Sequence, residues 1–258
     1  MEDRVETPPR QHRADALEVV VHADLAAMGR AAAAEVADAM RAVAAAKGAV
    51  RMVFAAAPSQ ADMMAALTAM PGLPWERVTA FHMDDYLDLP ADAPQRFGNW
   101  LDRHLFGHAP FGTIHRIPAQ GDPARICADY EALLRAAPLD ILCFGIGVNG
   151  HLAFNDPPVA DFDDPLWVKV VELDRTCRQQ QVDDGCFPAL ADVPKRAITL
   201  TIPCLMAAET RIGVVPGAHK RAALAATVSG PVSTACPASI LRRCGARLHI
   251  DAKADPHA

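Results

Sequence analysis

Short apolar runs alternate along the chain with longer stretches in which apolar and polar residues mix. The runs are Leu17–Val21, Val50–Ala57, Arg77–Phe81, Ile114–Ile117, one opening at Ile141, Trp167–Leu173, Ala197–Ile202, Arg211–Pro216 and Arg247–Asp251. Their lengths and β-branched content predict strands. The stretches between them predict helices. One runs from a candidate cap at Asp24 to Lys47 and is stopped by Gly48; others cover Ala61–Met70, a short piece around Trp100–Leu105, Pro123–Ala136 behind Asp122, and Gly217–Val228. Strands alternating with helices imply an α/β fold, a doubly wound, mostly parallel open sheet of Rossmann type with helices on both faces. Residues 1–16 lack an apolar pattern and read as a flexible arm, leaving residues 17–258 as a single α/β domain.

The run at Ile141 breaks in a distinctive way. It passes into Gly145-Ile146-Gly147-Val148-Asn149-Gly150-His151, then reaches Asp156 and stops at Pro157-Pro158. Glycines at a strand end allow close approach of backbone to ligand, at the edge where open α/β sheets keep their sites. His151 is the side chain suited to move protons near neutral pH. Three other strand ends carry candidate chemistry. Ser59 follows Val50–Ala57 at a strand-to-helix junction, where it is either an N-cap or an anion ligand. The strand Arg77–Phe81 runs into Asp84-Asp85, a crowded carboxylate pair expected either to raise one pKa or to face a cation. Lys220 opens a helix, the wrong sign for the helix dipole unless an anion binds there. Right-handed crossovers bring these four strand ends to one edge, with Ser59 and Lys220 as an anion corner and Asp84 and His151 as an acid/base corner. The polar segment from Arg175 to Gln181 reads equally as a flap over the crevice or as a surface helix.

Composition narrows the classes. In 258 residues the net charge is −6, and no basic run exceeds a pair, which argues against nucleic acid as a partner. No apolar run has the length of a membrane span, and the first 16 residues lack the apolar core of a signal peptide. Seven cysteines occur without a CxxC pair, consistent with reduced thiols in a cytoplasmic protein.

Three motifs together resemble the glucosamine-6-phosphate deaminase/isomerase family. Phe81-His82-Met83-Asp84-Asp85-Tyr86 is similar to its F-x-M-D-[DE]-Y motif, and Gly145 to Pro157 to its G-I-G-x-[DN]-G-H-x-A-F-N-[ED]-P motif. Gly217-x-x-Lys220-x-x-Ala223-Leu224 resembles its late G-x-x-K-x-x-A-[LI] helix start. The resemblance implies an enzyme that converts a phosphorylated aminosugar and water to fructose 6-phosphate and ammonia, with neither cofactor nor metal. By position, Asp84 becomes the base that takes the C2 proton and returns it at C1. His151 assists ring opening, with Asn149 and Asp156 behind it. Asp85 lies near the amino group, Gly147 lines the substrate, and Ser59 and Lys220 bind the phosphate. The oligomeric state is left open, a homo-oligomer included.

This chain departs from the pattern at several points. Asn149 stands where Asp is common, and Asp156 is one methylene shorter than the usual Glu, so its contact to His151 is expected to need a backbone shift or a water. The glycine-rich phosphate loop is replaced by Ala56-Ala57-Pro58-Ser59-Gln60. The lid arginine aligns near Asp183, with Arg175 and Arg178 as substitutes upstream. Rival readings are a 6-phosphogluconolactonase-like hydrolase, a non-catalytic sugar-phosphate sensor, and a metal site built from His82, Asp84, Asp85, His151 and Asp156.

Overall fold

The computed structural model describes residues 9–258. Its strands are β1 (Arg10–Ala14), β2 (Leu17–His22), β3 (Val50–Phe54), β4 (Val78–His82), β5 (Asp84–Tyr86), β6 (Thr113–His115), β7 (Ile141–Phe144), β8 (Val168–Glu172), β9 (Arg196–Leu200), β10 (Thr210–Val215) and β11 (Ala246–Asp251). Its α-helices are α1 (Leu25–Lys47), α2 (Ala61–Thr68), α3 (Phe97–His104), α4 (Pro123–Arg135), α5 (Arg175–Asp183), α6 (Ile202–Met206), α7 (Arg221–Ser229) and α8 (Leu241–Cys244). None is long and apolar enough to cross a membrane.

Local chemistry explains the longest helix. The Asp24 carboxylate accepts from the Ala27 N–H at 2.8 Å, and Gly48, at φ +78°, closes the other end by donating to the Ala44 carbonyl. Met28, Ala32, Val36 and Met40 form its buried stripe.

Eight strands form one sheet in the order β1-β2-β11-β10-β7-β3-β4-β6, parallel throughout except for β1. Helices cover both faces, as alternate residues of β7 show. Ile141 and Cys143 pack with the apolar stripes of α1 and α2, while Leu142 and Phe144 pack with Tyr130 and Leu134 of α4 and Leu224 of α7. After β3 the chain builds outward through β4 and β6, then returns to the other side of β3 with β7. The strand order therefore reverses between β3 and β7, and the crevice outside their carboxyl ends is the natural ligand site of such a sheet.

Two sequence expectations are corrected. Residues 1–8 of the expected arm lie outside the described residues, but Arg10–Ala14 is an ordered edge strand, paired antiparallel with β2 from Arg10↔Val21 to Ala14↔Leu17. Its solvated side chains carry no apolar alternation to reveal it. The runs around Val168–Glu172 and Arg196–Leu200 do not join the main sheet. With β5 they form a separate antiparallel sheet, β5-β9-β8, in which β8 is partly wet. The chain thus leaves the main sheet at Met83, and β5 hangs over its edge. All seven cysteines are free.

Gly213, in β10, sets how closely β7 and β11 approach at the level of the crevice. A Cβ there would meet Leu248 Cδ2 at 2.5 Å and Phe144 Cζ at 2.7 Å. Gly213→Ala is expected to cost about 1–3 kcal/mol by overpacking, read as a lower urea midpoint at unchanged slope.

Candidate active site

β7 ends at Phe144, and the next residues make a tight turn. Gly150, at φ +82°, donates to the Gly147 carbonyl, and Gly147 donates to the His151 carbonyl, both at 3.0 Å. This folds the His151 ring back onto Gly147, where a Cβ would lie 2.1 Å from the imidazole Cε1. Only glycine seats the histidine there. A second turn follows. Ala153 takes φ +49°, and the Asn155 side chain donates to the carbonyls of Leu152 and Leu200 at 2.9 and 2.8 Å. That turn swings Asp156 back beside His151.

The result is a closed triangle of side chains. His151 Nδ1 lies 2.7 Å from Asn149 Oδ1 and 3.1 Å from Asp156 Oδ1, and Asn149 Nδ2 donates to Asp156 Oδ1 at 2.8 Å. Nδ1 faces two acceptor oxygens and so carries the proton, which leaves the Nε2 lone pair free. Burial pushes the Asp156 carboxyl up, but the His151 and Asn149 contacts outweigh it and hold it below the ordinary value. The shorter Asp156 reaches His151 directly, without the water its length allowed for, and Asn149 braces the pair.

Asp84 and Asp85 are neighbours on β5 and so point to opposite faces. Asp84 lines the crevice, and among the described residues no N–H or O–H donates to its carboxylate. Burial first, and then the charge of Asp85, raise its pKa well above the usual carboxylate range. Asp85 is not a crevice residue, contrary to its expected place near the substrate. It is 1% exposed, paired to Arg96 at 3.0 Å, and accepts from the backbone N–H groups of Tyr86, Phe97 and Gly98. Arg96 is itself buried and also donates to the carbonyl of Tyr86. Nor do the five residues of the metal reading converge. His82 is fully enclosed, with Nδ1 donating to the Asp84 carbonyl at 2.9 Å and Nε2 accepting from Ile117 N–H at 2.8 Å.

Ser59, Asp84, Gly147, His151 and Lys220 line one open cavity, with Asn149 and Asp156 just behind His151. Ser59 sits in a 3-10 turn, Pro58–Gln60, and caps no N–H with its side chain. Its hydroxyl accepts from Gln60 Nε2, which also donates to the Val214 carbonyl at 3.0 Å and ties this loop to β10. Lys220 is 5% exposed, and burial pushes its ammonium down to about 8 even though Asp184 pulls the other way.

The sequence reading missed part of the lining. The polar segment is α5, and it lies over the crevice: Gln180, Gln181 and the following Asp184 all face the cavity, and Gln180 Oε1 accepts from Val148 N–H at 2.9 Å. Buried Cys177, Gln180 and Gln181 fall at helical spacing, a signal that is present in the sequence. The two expected substitutes for the lid arginine do not take that place. Arg178 donates to the carbonyls of Leu190 and Val193, and Arg175 is exposed and does not line the cavity.

Comparison with known proteins adds to this geometry. Residues 23–250 match the model of the family described as glucosamine-6-phosphate isomerases/6-phosphogluconolactonase. The glucosamine-6-phosphate deaminase of Bacillus thuringiensis (strain Al Hakam) is 35% identical over 169 residues, 65% of this chain and 62% of that relative; the protein of the same name from Bacillus cereus (strain AH820) matches equally. The chain therefore spans somewhat less than two thirds of the curated relatives it matches. A solved monomeric glucosamine-6-phosphate deaminase superposes with a TM-score of 0.84 at 24% identity, over 92% of this chain and 98% of that one. The 6-phosphogluconolactonase of Thermotoga maritima gives 0.74 at 18% identity, over 90% and 98%. At these identities the likeness is one of fold.

Replacing Arg96 by Leu leaves Asp85 buried without its counter-charge. A loss of about 3–5 kcal/mol of stability is expected, measured by chemical denaturation, and Arg96→Lys should recover only part of it.

Proposed function

Since the chain belongs to the family of glucosamine-6-phosphate isomerases and 6-phosphogluconolactonases, we propose that it is the ammonia-releasing kind, an aldose–ketose isomerase acting on a hexosamine 6-phosphate. The observation that carries this reading is Asp84: a buried carboxylate without a hydrogen-bond donor, in the same cavity as a braced histidine and a buried lysine. A carbon acid needs such a base. Lactone hydrolysis needs one base to activate water and takes no proton from carbon, whereas this cavity holds a carboxylate base in addition to the braced histidine.

In this mechanism Lys220 and Ser59 hold the phosphate and so fix the sugar along the cavity. His151 Nε2 takes the proton of the anomeric hydroxyl and delivers it to the ring oxygen as the C1–O5 bond breaks. Asp84 then removes the proton from C2 as the C1 carbonyl becomes an enol, and returns it to C1. C2 is left as an imine, to which water adds; loss of ammonia leaves the 2-ketose, fructose 6-phosphate if the substrate is glucosamine 6-phosphate. Each proton removed is given back, so neither cofactor nor net oxidation is required. Asn149 and Asp156 keep the imidazole in the Nδ1–H tautomer and stabilise the imidazolium that forms in passing. Asp85 acts only through its field, which with burial makes Asp84 a stronger base. A phosphorylated substrate and seven unpaired thiols suit a cytoplasmic enzyme of amino sugar metabolism.

Asp84→Asn should lower kcat by roughly 10³-fold while sugar-phosphate binding by calorimetry stays within a few-fold. Lactone hydrolysis by the wild type with no ammonia release from hexosamine 6-phosphates would sink the reading. The lysine gives a pH test. Its charge is lost above about 8, so kcat/KM should fall on the alkaline side from there, and Lys220→Arg should carry that limb to higher pH.

A further inference from the structure

One oxygen of the histidine brace has no ordinary partner. Asp156 is fully buried, and its Oδ1 is engaged by His151 and Asn149, but Oδ2 receives no N–H or O–H. A buried carboxylate oxygen left in this state is costly and poorly oriented. The group beside it is the thiol of Cys177, on α5 and itself 0% exposed; His151, Asp156 and Cys177 place a ring nitrogen, a carboxylate oxygen and Sγ all within 4.8 Å of one another. The other titratable groups that act on the thiol are Asp84 of β5, Asp174 at the N-cap of α5, the Tyr86 phenol and, as the one cation among them, Lys220, which makes no bond to Asp156 Oδ2.

We infer that Cys177 is a positioning residue: its S–H points at Asp156 Oδ2 and completes the support of the catalytic histidine from the lid helix. The thiol is suited to this because it stays protonated. Burial first, and then the Asp156 charge, push it well above its ordinary value. It can therefore donate at every pH at which the enzyme works, weakly but without competing for the imidazole proton. The face of α5 that carries it also carries Gln180, bonded to Val148 N–H, and Gln181, which lines the cavity. One helix face thus meets both the cavity and the carboxylate behind the histidine.

This inference rests on the proposed acid/base reaction, and its test separates the two. Cys177→Val keeps volume and removes the donor; Cys177→Ser keeps a donor. For Val, kcat on glucosamine 6-phosphate should fall about 10-fold with KM within two-fold, and the Asp156 carboxyl, followed by ¹³C NMR, should titrate higher than in wild type. Ser should restore both to within about two-fold of wild type. A Val variant with wild-type kcat and an unmoved Asp156 titration overturns the inference. So do Ser and Val variants that fall alike in kcat and in thermal stability, since that is the mark of packing alone. If wild type releases no ammonia, the reaction is wrong, while the Asp156 titration in the Val and Ser variants still decides whether the thiol holds the carboxylate.

Discussion

Two carboxylates side by side at a sheet edge are the constraint on which the site depends. Their mutual repulsion in a low-dielectric interior would unfold β5 or draw in water if both had to be ionised without compensation. The strand solves this by its pleat. Asp85 turns to the inner face, where a buried arginine and three backbone N–H groups hold its charge. Asp84 turns to the crevice with no such support, and its pKa rises in consequence. Arg96 is therefore as much a part of the base as Asp84, because a neutral or mobile Asp85 would remove the field that tunes its neighbour. The cost is borne by the fold, through α3, whose first residues supply two of those N–H groups.

The histidine is governed by the same logic with the signs changed. Here a carboxylate must stay ionised, and Asp156 does so in a fully buried place because His151 and Asn149 converge on one of its oxygens. An asparagine at position 149 gives up a second negative charge, but it can donate to Asp156 and accept from His151 at once, which an ionised aspartate cannot. The brace is then a ring of hydrogen bonds around one charge, and less charge has to be buried. The tight turns at Gly147, Gly150 and Ala153 exist to close that ring.

Most of this could be read from the sequence where a local rule decides, and little where a long-range contact decides. Asp24, Gly48 and Asp122 cap the helices they announce, because capping is settled within a few residues. The four strand ends meet because parallel crossovers leave them little choice. The pair Asp84-Asp85 was legible as chemistry, but not which member faces the ligand: all three residues of β5 are buried, so no alternation marks the face. Counting methylenes showed that the Asp156–His151 contact would need a backbone shift or a water, but only the loop between them, with its turn at Ala153, decides that the contact is direct. β1 escaped notice because an edge strand of Arg, Gln and His resembles a tail, and its partner strand lies across a turn that no glycine or proline marks.

The corner proposed for the phosphate, at Ser59 and Lys220, is sparse in cations. Residues 56–60 have alanines where the family pattern has glycines, and among the described residues lining the cavity Lys220 is the one lysine or arginine. In water a single ammonium attracts a phosphate weakly, but 5% exposure places this one where the same charge acts through far less screening. The penalty appears as a pKa near 8, brought partly back by Asp184 at the end of the lid helix. Asp184 thus helps to keep the lysine charged, yet it would repel a phosphate bound beside it. The lysine charge and the carboxylate beside it are in this way two terms of one electrostatic balance, set by burial and not by the number of cations.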